Sequence, residues 1–305
     1  MNKKYIYNAI LFIVLVIILD IVSGIFLKQL LVTVKSGEIH KTNYVLNQVN
    51  TEVLIFGNSR AQHHYIPNLI EKKTGMSCFN CGRDGTGILY NYAIFKQVIV
   101  RYKPKVVIFE LSDYNSLYEG EKKYNDLSLL NPYYSDFEEI KKVIDLKGFN
   151  EKIKHLSKSY ELNSTVVQIL SGQEKKVKND NGYVPLQGIY NNMTTENNIK
   201  IAIKNIDKNV IKAITDINNI SLENKFKLIF VISPYFKIVE KSPIAENYII
   251  KSFKKQNILF IDLSRNDLFI NDIKFFKDRT HLNIYGAELF TNIICQEIKS
   301  ISEKR

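Results

Sequence analysis

The sequence predicts an α/β fold, a parallel sheet of five strands with helices on both faces, preceded by one transmembrane helix. Three observations carry this. Five short apolar runs at residues 53–56, 77–80, 105–111, 227–232 and 258–263 are rich in β-branched and aromatic residues. Stretches of helical periodicity alternate with them, as in βαβ units, and strands buried on both faces read as continuous apolar runs. Ahead of them all, residues 6–27 are almost wholly apolar.

The elements follow in order. Lys3 and Lys4 precede the apolar run, and Asp20 is its only charge. About 20 such residues cross a bilayer as a helix. The lysines hold the N-terminus in the cytoplasm, which puts the remainder outside the inner (cytoplasmic) membrane, in the periplasm or its equivalent. No small-residue cleavage site follows, so the segment is expected to stay as an anchor. Residues 1–28 are thus a cytoplasmic tip and anchor, in which Asp20 either snorkels to the interface or meets a partner helix. Residues 29–50 read as a stalk with a short helix, and the main domain occupies 51–305.

Within that domain, residues 61–74 read as a helix in which Pro67 marks a bend or a new start, and a second helix at 87–102 stops before Pro104. Residues 115–190 are less regular and rich in Lys, Asn, Tyr and Ser, which suggests a lid or a partner-binding insertion. Inside it, Asn131-Pro132 reads as a turn and 140–159 has helical spacing. Residues 195–223 read as a long amphipathic helix feeding the fourth strand. Cys295 lies on the last amphipathic helix as a core residue.

Composition narrows the function classes. At 305 residues, 45% hydrophobic and 24% charged, the chain has ordinary globular composition and is not disordered. Lys plus Arg exceed Asp plus Glu by 42 to 31, a net +11. The excess is dispersed and no nucleic-acid recognition motif accompanies it, so an anionic envelope polymer or plain solubility accounts for it. His63 and His64 are adjacent and point to different sides of a helix, without cysteines or carboxylates at ligand spacing, so no metal site is expected. Cys78 and Cys81 form a Cys-x-x-Cys, a redox candidate. They straddle a strand end and run into a glycine loop instead of opening a helix, which disfavours redox chemistry and leaves a local disulfide as an alternative.

Two segments carry chemistry. Val53-Leu54-Ile55-Phe56-Gly57-Asn58-Ser59-Arg60 places a hydroxyl at the C-terminal edge of the first strand, where open α/β sheets build binding crevices. Asp278-Arg279-Thr280-His281 puts an acid and a histidine on one turn just before an amphipathic stretch. Ser59 needs a base to take its proton; His281 is that base, and Asp278 fixes its tautomer. The Ser59 and Gly82 amides are the expected oxyanion donors. Arg60 is a candidate for binding an acidic substrate group, or else a surface or structural ion pair. Asn283 is expected to cap the last helix.

These residues resemble the first and last sequence blocks of the SGNH (GDSL-type) esterases and acyltransferases, and Cys78-Phe79-Asn80-Cys81-Gly82-Arg83-Asp84-Gly85-Thr86-Gly87 resembles the family's glycine block. The likeness covers roughly residues 50–115 and 225–300. It extends to the membrane-anchored envelope branch of that superfamily. Two positions depart: Asn58 stands where Gly-Asp-Ser has Asp, and Phe109 to Asn115 replaces the Gly-x-Asn-Asp block, with Asn115 as the candidate third oxyanion donor. The resemblance implies a three-layer α/β/α fold with a flavodoxin-like five-stranded parallel sheet. It also implies serine ester hydrolysis or O-acyl transfer on an envelope polysaccharide or other acylated glycan, without a cofactor, and a multi-spanning membrane acyltransferase as a further partner. The alternative it leaves open is a catalytically inactive binding or assembly subunit for such an acyltransferase.

Overall fold

Five strands, β1 (Val53–Phe56), β2 (Cys78–Asn80), β3 (Val106–Glu110), β4 (Lys227–Ile232) and β5 (Leu259–Asp262), form one sheet. A computed structural model describes residues 3–118, 124–171, 181–191, 205–237, 243–256, 258–270 and 272–303. The strand order is β2-β1-β3-β4-β5 and every pairing is parallel, with Ile55 beside Ile108 and Ile108 beside Ile229. This is the expected flavodoxin-like order, and its direction reverses between β1 and β3.

Alternation along the strands sorts the core into two faces. Val53, Ile55, Val106, Ile108, Ile229 and Val231 enter one cluster. Ala61 of α3 (Ser59–His64), Ile70 of α4 (Pro67–Thr74) and Phe290, Ile294 and Ile298 of α12 (Ile284–Glu303) complete it. On the other face Phe56, Phe109 and Phe230 stack in a row, with ring centroids 5.1 and 5.7 Å apart. Phe95 of α5 (Ile88–Arg101) and Phe253 of α11 (Pro243–Lys255) meet that row at 5.8 and 5.0 Å. Helix α10 (Lys208–Asn224) packs beside α5, with the Tyr92 hydroxyl donating to Asp216 at 2.7 Å. Helices on both faces of one sheet make three layers. Local chemistry sets two of the helix starts. Pro67 opens α4, and the Asp207 side chain caps α10 by accepting from the Asn209 and Val210 amides. Residues 192–204, the start of the expected long helix, lie outside the described residues.

The chain divides into two compact units, Met1–Tyr44 with Tyr124–Val177 and Val45–Lys123 with Lys178–Arg305. This differs from the partition into anchor, stalk and a 51–305 domain. The first unit holds α1 (Lys3–Thr33), a helix long and apolar enough to cross a membrane. Much of the segment read as an insertion belongs to the same unit. The expected 140–159 helix is broken into α6 (Glu138–Ile144), α7 (Phe149–Lys154) and α8 (Lys158–Leu162), followed by α9 (Val166–Ser171). Gly148, at φ 105°, makes the break before α7. The expected stalk is ordered: α1 runs on to Thr33, and α2 (Gly37–Asn47) fills most of the rest. Lys28 pairs with Asp136 at 2.5 Å, and Asn43 receives the Tyr133 hydroxyl at 2.8 Å while donating to the Leu31 carbonyl at 2.9 Å.

Gly57 shows how tightly the sheet end is built. Its φ is 151°, and a Cβ there would lie 2.8 Å from the Cβ atoms of Ala61 and Glu110. Gly57→Ala is therefore expected to destabilise the protein by about 2 kcal/mol or more, from backbone strain plus overpacking. Denaturant unfolding of the full chain in detergent would check this, and a midpoint equal to wild type would refute it.

Candidate active site

Ser59 is placed by the way β1 ends. Gly57 turns the chain at the sheet edge, where its N–H donates to the Asn91 side chain at 3.1 Å. Asn58 is extended and caps α3, its side-chain oxygen accepting from the Arg60 N–H at 3.0 Å. Ser59 is thus the first residue of a helix, half-exposed beyond the sheet. Among the described residues its amide has no acceptor, as befits a first-turn N–H.

The other half of the site is a turn pinned by its own acid. Phe276 and Leu282 form a bridge, and the Lys277 N–H donates to the His281 carbonyl at 2.9 Å. Across this turn one oxygen of Asp278 accepts from the Thr280 amide at 2.8 Å and the His281 amide at 2.9 Å. Its other oxygen lies 2.8 Å from His281 Nδ1, and His281 Nε2 lies 2.8 Å from Ser59 Oγ. The geometry assigns the proton: Nδ1–H donates to the carboxylate, leaving Nε2 to accept the serine O–H. Partial burial would raise the Asp278 carboxyl, but hydrogen bonds from the His281 ring and the Thr280 amide outweigh it and hold it well below the usual carboxylate range. It stays charged wherever His281 can act as a base.

Behind the pair lies a buried polar network. Arg60 does not present its guanidinium to a ligand. It is 3% exposed, stacked 3.7 Å from the centre of the Tyr235 ring, and donates through Nε to Ser233 Oγ at 3.0 Å and through a terminal nitrogen to the Ser233 and Pro234 carbonyls. Of the two readings of Arg60, the placement is that of the structural ion pair, with Glu110 at 3.7 Å. Glu110 accepts from the Tyr65 hydroxyl at 2.7 Å and the Ser233 N–H at 3.1 Å; burial raises its carboxyl, against the opposing pull of Arg60. His64 also joins Ser233, through Nδ1 at 2.9 Å, and its Nε2 accepts from the Leu282 amide at 3.0 Å. His64 is neutral, because burial first and then the Arg60 charge depress its protonation.

The expected oxyanion donors divide. The Gly82 N–H is engaged by the Asn80 side chain at 2.9 Å, so it does not stand open to an oxyanion. The glycine itself has a steric reason: a Cβ would meet the Gln62 nitrogen at 2.6 Å and the Ala61 Cβ at 2.7 Å, where α3 passes close. The side chain of Asn115 lies outside the described residues. Beside the serine turn, a cleft of about 190 Å³ is lined by Gly57, Asn58, Thr86, Phe109, Ser112 and Asp113 among others. It opens between the C-terminal ends of β1 and β3, at the point where strand order reverses, the position that α/β sheets use for ligands.

Sequence reasoning did not single out Asn58 as the cap of the helix that Ser59 begins, nor His64, Glu110 and Ser233. A signal for the second group was present. Arg60 and His64 are four residues apart on one helix, hence on one face, and both reach Ser233. The Cys-x-x-Cys does not form the local disulfide: Cys78 and Cys81 are buried thiols, and burial pushes the Cys78 thiol well up, away from a reactive thiolate. Asn283 caps α12, accepting from the Tyr285 and Gly286 amides at 3.0 and 3.1 Å.

Two outcomes follow. Asn58→Asp keeps the capping oxygen and should leave stability near wild type, whereas Asn58→Ala should cost about 1 kcal/mol; unfolding midpoints of the two variants test this, and equal losses would sink it. For His64, the unfolded chain takes up a proton that the folded site refuses, so stability should fall as pH drops below the ordinary histidine value of 6.5. The decline should be shallower in His64→Asn, measured as melting temperature against pH; parallel curves would contradict the assignment.

No family model and no curated protein matches the chain. Among solved structures it is similar to a protein from Desulfitobacterium hafniense DCB-2 assigned to the G-D-S-L lipolytic family, with 14% identity and a TM-score of 0.44 over 81% of this chain and 99% of that one. It is also similar to a GDSL-like lipase from Bacteroides thetaiotaomicron VPI-5482 (12% identity, TM-score 0.39, 81% and 88% covered). A third is an acetyl xylan esterase (13% identity, TM-score 0.40, 82% and 98% covered). These likenesses are faint, and the triad distances stand independently of them. The parallel strand order, the serine that follows β1 and the Asp-x-x-His that precedes the last helix are the features on which the sequence resemblance rests.

Proposed function

We propose that this protein is a serine esterase or O-acyltransferase of SGNH type, held in the cytoplasmic membrane by α1 with its catalytic unit outside, and acting on an acylated envelope glycan. The observation that carries the reading is the unbroken chain from Ser59 Oγ through His281 to Asp278, with both links at 2.8 Å. Ser59 attacks the acyl carbonyl while its proton passes to His281 Nε2, and Asp278 stabilises the resulting imidazolium. The alcohol leaves with that proton, and an acyl-serine remains. Water or a sugar hydroxyl, deprotonated by the same imidazole, then takes the acyl group and regenerates the enzyme. The Ser59 amide is the available backbone donor for the oxyanion.

The cleft beside Asn58, at about 190 Å³, is smaller than the roughly 300 Å³ at which drug-sized pockets begin, and this suits a short acyl group. The net charge of +11 suits an anionic polymer as the substrate or its surroundings. A multi-spanning membrane acyltransferase would fit as the partner that supplies acyl groups to the serine. A second reading, a catalytically inactive assembly subunit with this fold, is favoured by one observation, the engagement of the Gly82 amide by Asn80.

A fluorophosphonate probe on the full chain in detergent, read by intact mass, separates the two. One adduct on wild type and none on Ser59→Ala is expected, with labelling slowed about 10³-fold or more in His281→Ala. Nitrophenyl acetate should be cleaved faster than the octanoate. A folded wild type that takes no adduct and cleaves neither ester would support the assembly subunit instead.

A further inference from the structure

Helix α1 carries a polar notch that residues 157–159 fill. One oxygen of Asp20 accepts from the Ser157 hydroxyl at 2.6 Å and the Ser159 amide at 3.1 Å, and the other accepts from the Lys158 amide at 2.8 Å. The hydroxyls of Ser23 and Ser159 lie 2.7 Å apart. A Cβ on Gly24 would come within 2.5 Å of Lys158 Cβ and 2.9 Å of its carbonyl carbon, so α8 crosses α1 at backbone contact. The charge of the anchor is thus satisfied by its own chain.

Next to this seam the same unit leaves large apolar side chains in the open: Phe149 at 73%, Ile153 at 49%, Leu156 at 80%, Val167 at 78% and Leu170 at 61%. Isolated exposed apolar residues are ordinary on a soluble surface. These are not isolated, since they lie on and between short helices of which α8 and α9 touch α1. The position along α1 matters more. From Ile6 to Asp20 the rise is about 21 Å at 1.5 Å per residue, against about 30 Å for the hydrocarbon core. The seam therefore falls in the outer part of any bilayer that α1 crosses, and whatever is docked there meets the same leaflet.

Charge distinguishes the kind of contact. Lys152, Lys154 and Lys158 lie among these side chains, and each is paired with a carboxylate, Asp145, Glu151 and Glu161 respectively, at 3.2 to 3.5 Å. Their charge is locally cancelled while their stems remain apolar. Insertion of apolar side chains, not attraction to anionic headgroups, is the contact this face can make.

We infer that residues 149–170 form a second membrane-contacting element, with α7, α8 and α9 lying in the outer interface of the bilayer. Phe149, Ile153, Leu156, Val167 and Leu170 enter the acyl region, and Asp20 latches the element to the anchor. This rests on the reading of α1 as a membrane anchor and is independent of the chemistry at Ser59.

The sequence contains no tryptophan, which gives a silent background for depth measurement. Full-length single-tryptophan variants Leu156→Trp, Leu170→Trp and Val14→Trp would be reconstituted in phosphatidylcholine vesicles containing lipids brominated along the acyl chain. Val14→Trp reports the anchor, and N-acetyltryptophanamide added outside the vesicles reports solvent. Loss of emission is expected at positions 14, 156 and 170 but not for the added amide, with the losses at 156 and 170 unchanged by high salt. Quenching at 14 with solvent-like emission at 156 and 170 would overturn the inference and leave the anchor standing. Blue-shifted but unquenched emission at 156 and 170 would overturn it in favour of a protein covering this face. No quenching at 14 would remove the anchor, and the inference with it.

Discussion

The site depends on a buried polar chain that joins its two halves from behind. Arg60, the residue after Ser59, donates to Ser233; His64 meets the same hydroxyl and accepts from the amide of Leu282, the residue after His281. Ser59 and His281 are 222 positions apart in sequence. No local preference can hold their side chains within 2.8 Å. The network does so by tying each partner's immediate neighbour to one serine at the end of β4.

Such a network tolerates little. A buried guanidinium is costly unless a charge partner and hydrogen bonds compensate for its lost hydration. Glu110 supplies the charge and is itself held by Tyr65 and the Ser233 amide. The carboxylate at the end of β3, the guanidinium at the start of α3 and the turn after β4 thereby fix three adjacent strand ends relative to one another. Ser59, Asp278 and His281 in front are half-exposed and the network behind them is fully buried. That division leaves the three side chains open to solvent while their positions are set by buried atoms.

The sheet and the triad residues were legible in the sequence because their signals are local. Runs such as Lys227–Ile232 read as strands on their own residues, and a serine after one strand with an acid and a histidine on one turn needs no distant information. What was not legible depends on contacts far apart in sequence or on which acceptor captures an amide. Gly82 has the composition of an oxyanion loop, yet Asn80, two residues earlier, takes its N–H. Arg60 looked as available to an anion as to a structural pair until Ser233 and Tyr235 enclosed it. Helical spacing over 140–159 was genuine, but Gly148 interrupts it.

The division into units has the same origin, and Asp20 shows why. A carboxylate in an apolar helix must find donors, and the helix that bears it has none to offer, since its backbone amides are already bonded to carbonyls one turn back. Free amides occur where a helix begins. Ser157-Lys158-Ser159 is such a place: Ser157 caps α8, accepting from the Tyr160 amide while its own hydroxyl donates to Asp20. Asp278 solves its own need in the same way, with the Thr280 and His281 amides of a turn it closes itself. One carboxylate is satisfied two and three residues away, the other 137 to 139 residues away. Only the first kind of solution can be read along a sequence, although a lone acid in an apolar helix does announce that a distant segment must supply the second.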